Sequence, residues 1–234
     1  MKLRTKRILG ALLIALGILG IVCELVLVLT YKKYLSRDWS QPMTRWNLLA
    51  FFTQITNIVV NTWLILVGIA LLFNLKRKYK FLTKPHIQGA LTLYIFVVGL
   101  IYCGILFWFT EPYSPEHWWG NFVNIWHHLI IPTGMVILWW RMPHQGHIRK
   151  RTLLYWMIYP IAYLIFSEIR GLVIRWYPYP FLDPSSGILF PLGLISLAIV
   201  ITGFGYAFIW FHNAKVRKTH KKTPVEEMPS SSSK

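Results

Sequence analysis

The sequence predicts an all-α integral membrane protein, a bundle of six transmembrane helices. Two observations carry this. Of the 234 residues, 55% are apolar and 16% aromatic, a balance that fits a small membrane protein better than a soluble domain. A bilayer span needs about 20 mostly apolar residues, and six stretches qualify, at roughly 8–31, 48–73, 86–110, 121–140, 153–174 and 188–211. The connections are short. Residues 1–211 therefore read as one transmembrane domain, and residues 212–234 as a basic, Ser-rich tail without order of its own.

Span one follows Lys2, Arg4, Lys6 and Arg7. Its apolar run exceeds the hydrophobic region of a secretory signal, and no small-residue cleavage site follows, so it reads as a retained span. Gly10, Gly17 and Gly20 within it, and Gly99 and Gly104 in span three, would let helices approach closely. Cys23 and Cys103 both fall inside predicted spans. They make no disulfide framework or zinc spacing and read as small apolar core residues.

Span two opens on Phe51-Phe52-Thr53-Gln54-Ile55-Thr56-Asn57, with Asn61 one turn on. Thr53, Asn57 and Asn61 share a helical face by their i, i+4, i+8 spacing. Span four carries His127 and His128 before Pro132, and there Asn121, Asn124 and His128 share a face. Span five ends near Glu168 and Arg170, a pair that could neutralise one another. The connection to span six, Trp176 to Pro184, holds three prolines and four aromatics. It reads as a rigid turn or as a lid over a cavity. Tryptophans near predicted span ends (Trp39, Trp46, Trp118, Trp119, Trp139, Trp140, Trp176, Trp210) read as interface anchors.

The net charge of +17 is topological rather than a nucleic-acid footprint. Of the 25 basic residues, 19 lie in the two termini and in the connections two-to-three and four-to-five. The positive-inside rule then puts both termini in the cytoplasm of a plasma-membrane protein, its basic face toward anionic lipid. No metal-ligand spacing or nucleotide motif is present, so no cofactor and no metal are expected.

Counting about 1.5 Å per residue from each outer span end, Glu24, Thr53, His128, Glu168 and Arg170 lie roughly 6–11 Å deep. Lipid offers no hydrogen-bond partner, so such groups should turn inward. The simplest packing is one polar pocket in the outer half of the bundle. Thr53 would be a nucleophile and His128 its base. Glu24, Asn124 or Glu168 would orient the imidazole. Arg170 or an asparagine amide would hold a carboxylate or developing oxyanion. The same threonine and asparagines also read as interhelical glue. The inner halves of spans two and four, 64–73 and 133–140, are almost wholly apolar, which argues against a solute path across the membrane.

Four phrases in order (FFTQITN, HHLIIP, Arg170-Gly171 and YPYPFLD) resemble the bacterial six-helix relatives of the androgen-induced-gene membrane proteins. The resemblance covers about residues 8–211. Animal members of that family are intramembrane threonine hydrolases acting on fatty-acid esters of hydroxy fatty acids. The resemblance implies Thr53 as nucleophile and His128, with His127 as the alternative, as base. It implies a lipid-like ester as substrate and membrane lipids as partners. Gln54 and Asn57 follow the bacterial branch and depart from the animal one, which leaves the substrate open. The competing reading is a lipid-binding or membrane-assembly protein that uses the same pocket without chemistry.

Overall fold

The computed structural model describes residues 3–30, 47, 49–107, 118–142 and 146–221. Among these, every regular element is helical: α1 Leu3–Thr30, α2 Phe52–Leu72, the short α3 Lys76–Leu82, α4 Pro85–Ile101, α5 Trp118–Ile125, α6 Ile131–Arg141, α7 Thr152–Ile174 and α8 Leu189–Lys221. Single π-helical turns extend α4 (Tyr102–Leu106) and join α5 to α6 (Trp126–Ile130). Among the described residues, six helices are long and apolar enough to cross a membrane. The chain is therefore a multi-pass membrane protein of the predicted class. Trp39, Trp46 and the Ser230–Ser233 run lie outside the described residues.

Glycine sets the tightest contact. A Cβ on Gly10 would meet the Gly68 carbonyl at 2.7 Å, one on Gly17 the Asn61 carbonyl at 2.6 Å, and one on Gly20 the Asn61 side chain. Spans one and two thus pack antiparallel along a backbone-close seam, as small residues allow in lipid. Gly99 does the same for spans three and four, against the His128 carbonyl and Pro132. Gly104, in the π-turn at 102–106, does not: among the described residues nothing stands within 4 Å of a Cβ there.

Prolines explain two further features. Pro132 has no N–H to give the His128 carbonyl, four residues back, and its ring crowds that carbonyl. The turn before it widens, and the Ile131 amide bonds the Trp126 carbonyl instead. Pro160 likewise orphans the Trp156 carbonyl inside α7. The Tyr94 hydroxyl of span three fills the gap, donating to that oxygen at 2.6 Å. A helix-breaking residue therefore becomes a link between spans three and five.

Three expectations are corrected. α8 continues in register to Lys221, so residues 212–221 are helix rather than unordered tail. Lysine and arginine are good helix formers and suit a helix C-terminus. Trp139 and Trp176 are buried against the protein rather than standing free at its surface, while Trp118, Trp140 and Trp210 are exposed. Cys23 is fully buried, but Cys103 is exposed at the bundle surface.

Candidate functional site

The start of α2 needs outside help. Its first amides have no partner within the helix, and Phe51, at the cap position, has no side-chain acceptor. Two tyrosines come to this end. Tyr163, from span five, donates to the Ala50 carbonyl at 3.0 Å. Tyr179, from the proline-rich loop, places its hydroxyl 3.4 Å from Thr53 Oγ1, facing the Phe52 and Thr53 amides. The Tyr179 ring packs edge-on against Phe51, centroids 5.4 Å apart, and stacks on Phe181 at 5.3 Å. Burial pushes the Tyr179 phenol above its ordinary pKa, so it stays protonated at neutral pH.

The loop holding Tyr179 is built, not loose. Asp183 Oδ1 accepts from the Ser185 amide at 2.8 Å and the Ser185 hydroxyl at 2.7 Å. Gly171 sits against the Tyr177 ring, and Gly193 against Phe181. Arg170 donates to the Asn47 amide oxygen and lies 5.0 Å over the Trp176 ring, which packs on Phe51. Arg170 therefore braces the loop's first residues. It makes no ion pair with Glu168 among the described residues. Glu168 faces Asp183.

Below this end an open cleft, with about 50 Å³ of space inside it, runs between spans two, three, five and six. Its wall is almost entirely hydrocarbon and aromatic: Phe52, Val97, Val98, Ile101, Pro160, Leu164, Phe181, Leu182, Leu197 and Ile201. Thr53, Tyr163 and Tyr179 are the hydroxyl-bearing residues of the wall.

The other predicted residues lie elsewhere, in two separate patches. Glu24 and His127 are both buried, with His127 Nε2 3.5 Å from Glu24 Oε1. The Gln54 amide nitrogen, oriented to satisfy both groups, donates to the Glu24 carboxylate. The His127 ring lies against the Gly20 backbone. Asn57 Nδ2 bridges the Thr53 carbonyl at 3.0 Å and the His127 carbonyl at 3.4 Å. This patch joins spans one, two and four beside the glycine seam. His128 belongs to the third patch. Its Nδ1 sits 2.9 Å from the Asn124 carbonyl, and its ring stacks on Tyr102 with centroids 4.0 Å apart. Asn124 Nδ2 in turn donates to the Tyr102 hydroxyl at 2.7 Å.

The expected single pocket is thus three patches. Thr53 and His128 share no hydrogen bond: each has another partner. Adjacent residues on a helix point about 100° apart, so the two histidines serve different neighbours. His127 turns to spans one and two, and His128 to span three. Sequence reasoning missed Tyr163, Tyr179, Gln54 and Tyr102 as members. Two of these were signalled: the missing cap residue before Phe52, and the tyrosines of the proline loop. The π-turns at Tyr102 and at the histidines, a feature frequent at functional sites, left no sequence trace beyond Pro132.

No protein family, curated protein or solved structure matches the chain.

Proposed function

We propose that the protein is an intramembrane hydrolase of lipid-like esters, with Thr53 as nucleophile. One observation carries the reading: Thr53 lies on the wall of an open, mainly apolar cleft, beside Tyr163 and Tyr179. An acyl chain would lie against the hydrocarbon wall, its carbonyl at the hydroxyl end. The resemblance of the four phrases to the androgen-induced-gene relatives points to the same residue. Both termini are cytoplasmic in this proposal, the membrane is the plasma membrane, and the ester enters from the outer half.

The step is acyl transfer. Thr53 Oγ1 attacks the ester carbonyl carbon and its proton passes to a histidine nitrogen. The carbonyl electron pair moves to oxygen, and its return expels the alkoxide, which takes the proton from the imidazolium and departs as an alcohol. Water then attacks the acyl-threonine with the same base, giving a carboxylic acid and restoring the Thr53 hydroxyl. His128 is the base in this reading. It must leave its Tyr102 stack when substrate binds, as catalytic contacts in empty sites often tighten only in the complex.

A specific observation favours a second reading. Thr53 and His128 are committed to different partners, which suits a cleft that holds a lipid without cleaving it. Fluorophosphonate labelling of the purified protein in detergent separates the two. The hydrolase reading expects labelling of wild type, lost in Thr53→Ala and in His128→Ala. Absence of labelling in folded wild type removes that reading and leaves the lipid binder.

A further inference from the structure

Three hydroxyls meet at the polar end of the cleft, and their protons are not equally committed. Tyr163 directs its proton to the Ala50 carbonyl. Tyr179 and Thr53 have one contact between them, 3.4 Å long. Only one of the two can donate in it, so the other proton has no acceptor among the described residues. The start of α2 at Phe52 and Thr53 lies against the Tyr179 oxygen, and a phenol can donate as well as accept. A hydroxyl proton at the end of an apolar cleft is an unmet demand for an acceptor.

We infer that the Tyr179 and Thr53 hydroxyls form a two-point clamp for a carbonyl oxygen, with Tyr179 as donor and the attached acyl chain in the cleft. The inference rests on the acyl-cleft reading above and names a residue that reading did not assign. The ligand class follows from the chemistry. The clamp offers neutral donors, and the groups lining the cleft carry no basic residue, so an uncharged carbonyl such as an ester or amide fits better than a carboxylate. Phe51 packs edge-on against the Tyr179 ring and Phe181 stacks on it, so the ring is held before a ligand arrives. Such preorganisation is what makes a donor effective toward a developing oxyanion. In the hydrolase reading, Tyr179 is therefore a catalytic residue: it keeps its hydrogen bond to the oxygen that takes up charge, while Thr53 leaves the clamp, gives its proton to the base and attacks the carbon.

The test measures binding rather than turnover, so it stands apart from the hydrolase reading. Full-length protein in detergent is titrated with N-methylpalmitamide, which carries an uncleaved carbonyl, and with hexadecane, which carries the chain alone. Variants are Tyr179→Phe, which keeps the ring, and Thr53→Val, which keeps the shape. Thr56→Val, whose hydroxyl bonds Tyr159 instead, is the control. Wild type is expected to bind the amide more tightly than the alkane. Each clamp variant should weaken amide binding about five- to tenfold with hexadecane unchanged, and the control should match wild type. Equal weakening of both ligands would make Tyr179 a mere wall residue and overturn the clamp. So would unchanged amide binding in Tyr179→Phe, or a wild type that does not distinguish the two ligands. A wild type that fails to label with fluorophosphonate but shows the Tyr179-dependent preference removes the hydrolase and keeps the clamp.

Discussion

Two regions at similar depth in the bundle treat polar groups in opposite ways. Between spans one, two and four, Glu24, Gln54, Asn57, Asn61 and His127 are packed against one another where backbones touch. The Gly20 position has no room for even a methyl group beside Asn61. Between spans two, three, five and six, the Thr53 and Tyr179 hydroxyls face an open apolar cleft. The first region has carboxylate, imidazole and amides and no space. The second has space and little polarity. Ionisable residues inside a membrane raise a functional expectation, yet here the ionisable cluster has the geometry of glue. The neutral hydroxyls have the geometry of a site. What separates the two is whether a small molecule could reach the group.

Breaking the closed region should cost fold. Glu24→Ala removes the partner of both His127 and the Gln54 amide. Deleting one member of a buried pair typically costs about 3–5 kcal/mol, and that is the expected loss of stability, read from the denaturation midpoint in mixed micelles. An unchanged midpoint would mean that the cluster is not holding spans one, two and four together. Gly17→Val comes next. Its side chain would enter the Asn61 carbonyl and the Ile65 side chain, and overpacking of this kind costs about 1–3 kcal/mol. If Gly17→Val is as stable as wild type, spans one and two do not approach as closely as the seam requires.

This division was only partly legible in the sequence. Six spans follow from apolar run length, since bilayer thickness leaves little freedom. The glycine contacts at Gly10, Gly17, Gly20 and Gly99 were likewise readable from composition. The grouping of Glu24, Thr53, His128, Glu168 and Arg170 was not. Equal depth fixes a residue along the membrane normal and says nothing of its direction around the helix or of which helices are neighbours. The face shared by Asn124 and His128 is real, yet it turns to Tyr102 in span three and away from Thr53. Helical periodicity also assumes an unbroken α-helix, and the π-turns at 102–106 and 126–130 interrupt it at the polar residues. Tyr179 lay in a loop, where periodicity has nothing to say. Its place becomes visible only when the uncapped start of α2 is asked where its amides go.

The smallest expected effect on stability is the most informative one. Thr53→Val should cost under about 1 kcal/mol, because the residue makes a single long hydroxyl contact and a net hydrogen bond contributes about 0.5–1.5 kcal/mol. Thr56→Val, which loses a 2.9 Å bond to Tyr159 across to span five, should cost at least as much. If Thr53 were glue like Thr56, both variants would lose stability alike and neither would affect ligand binding or labelling. If it serves the cleft, Thr53→Val keeps the fold and loses its function, while Thr56→Val loses a little stability and keeps function. Denaturation midpoints and fluorophosphonate labelling measured on the same two preparations distinguish these outcomes. A stability loss in Thr53→Val well above that of Thr56→Val would place Thr53 with the closed region, and the cleft would lose its reactive group.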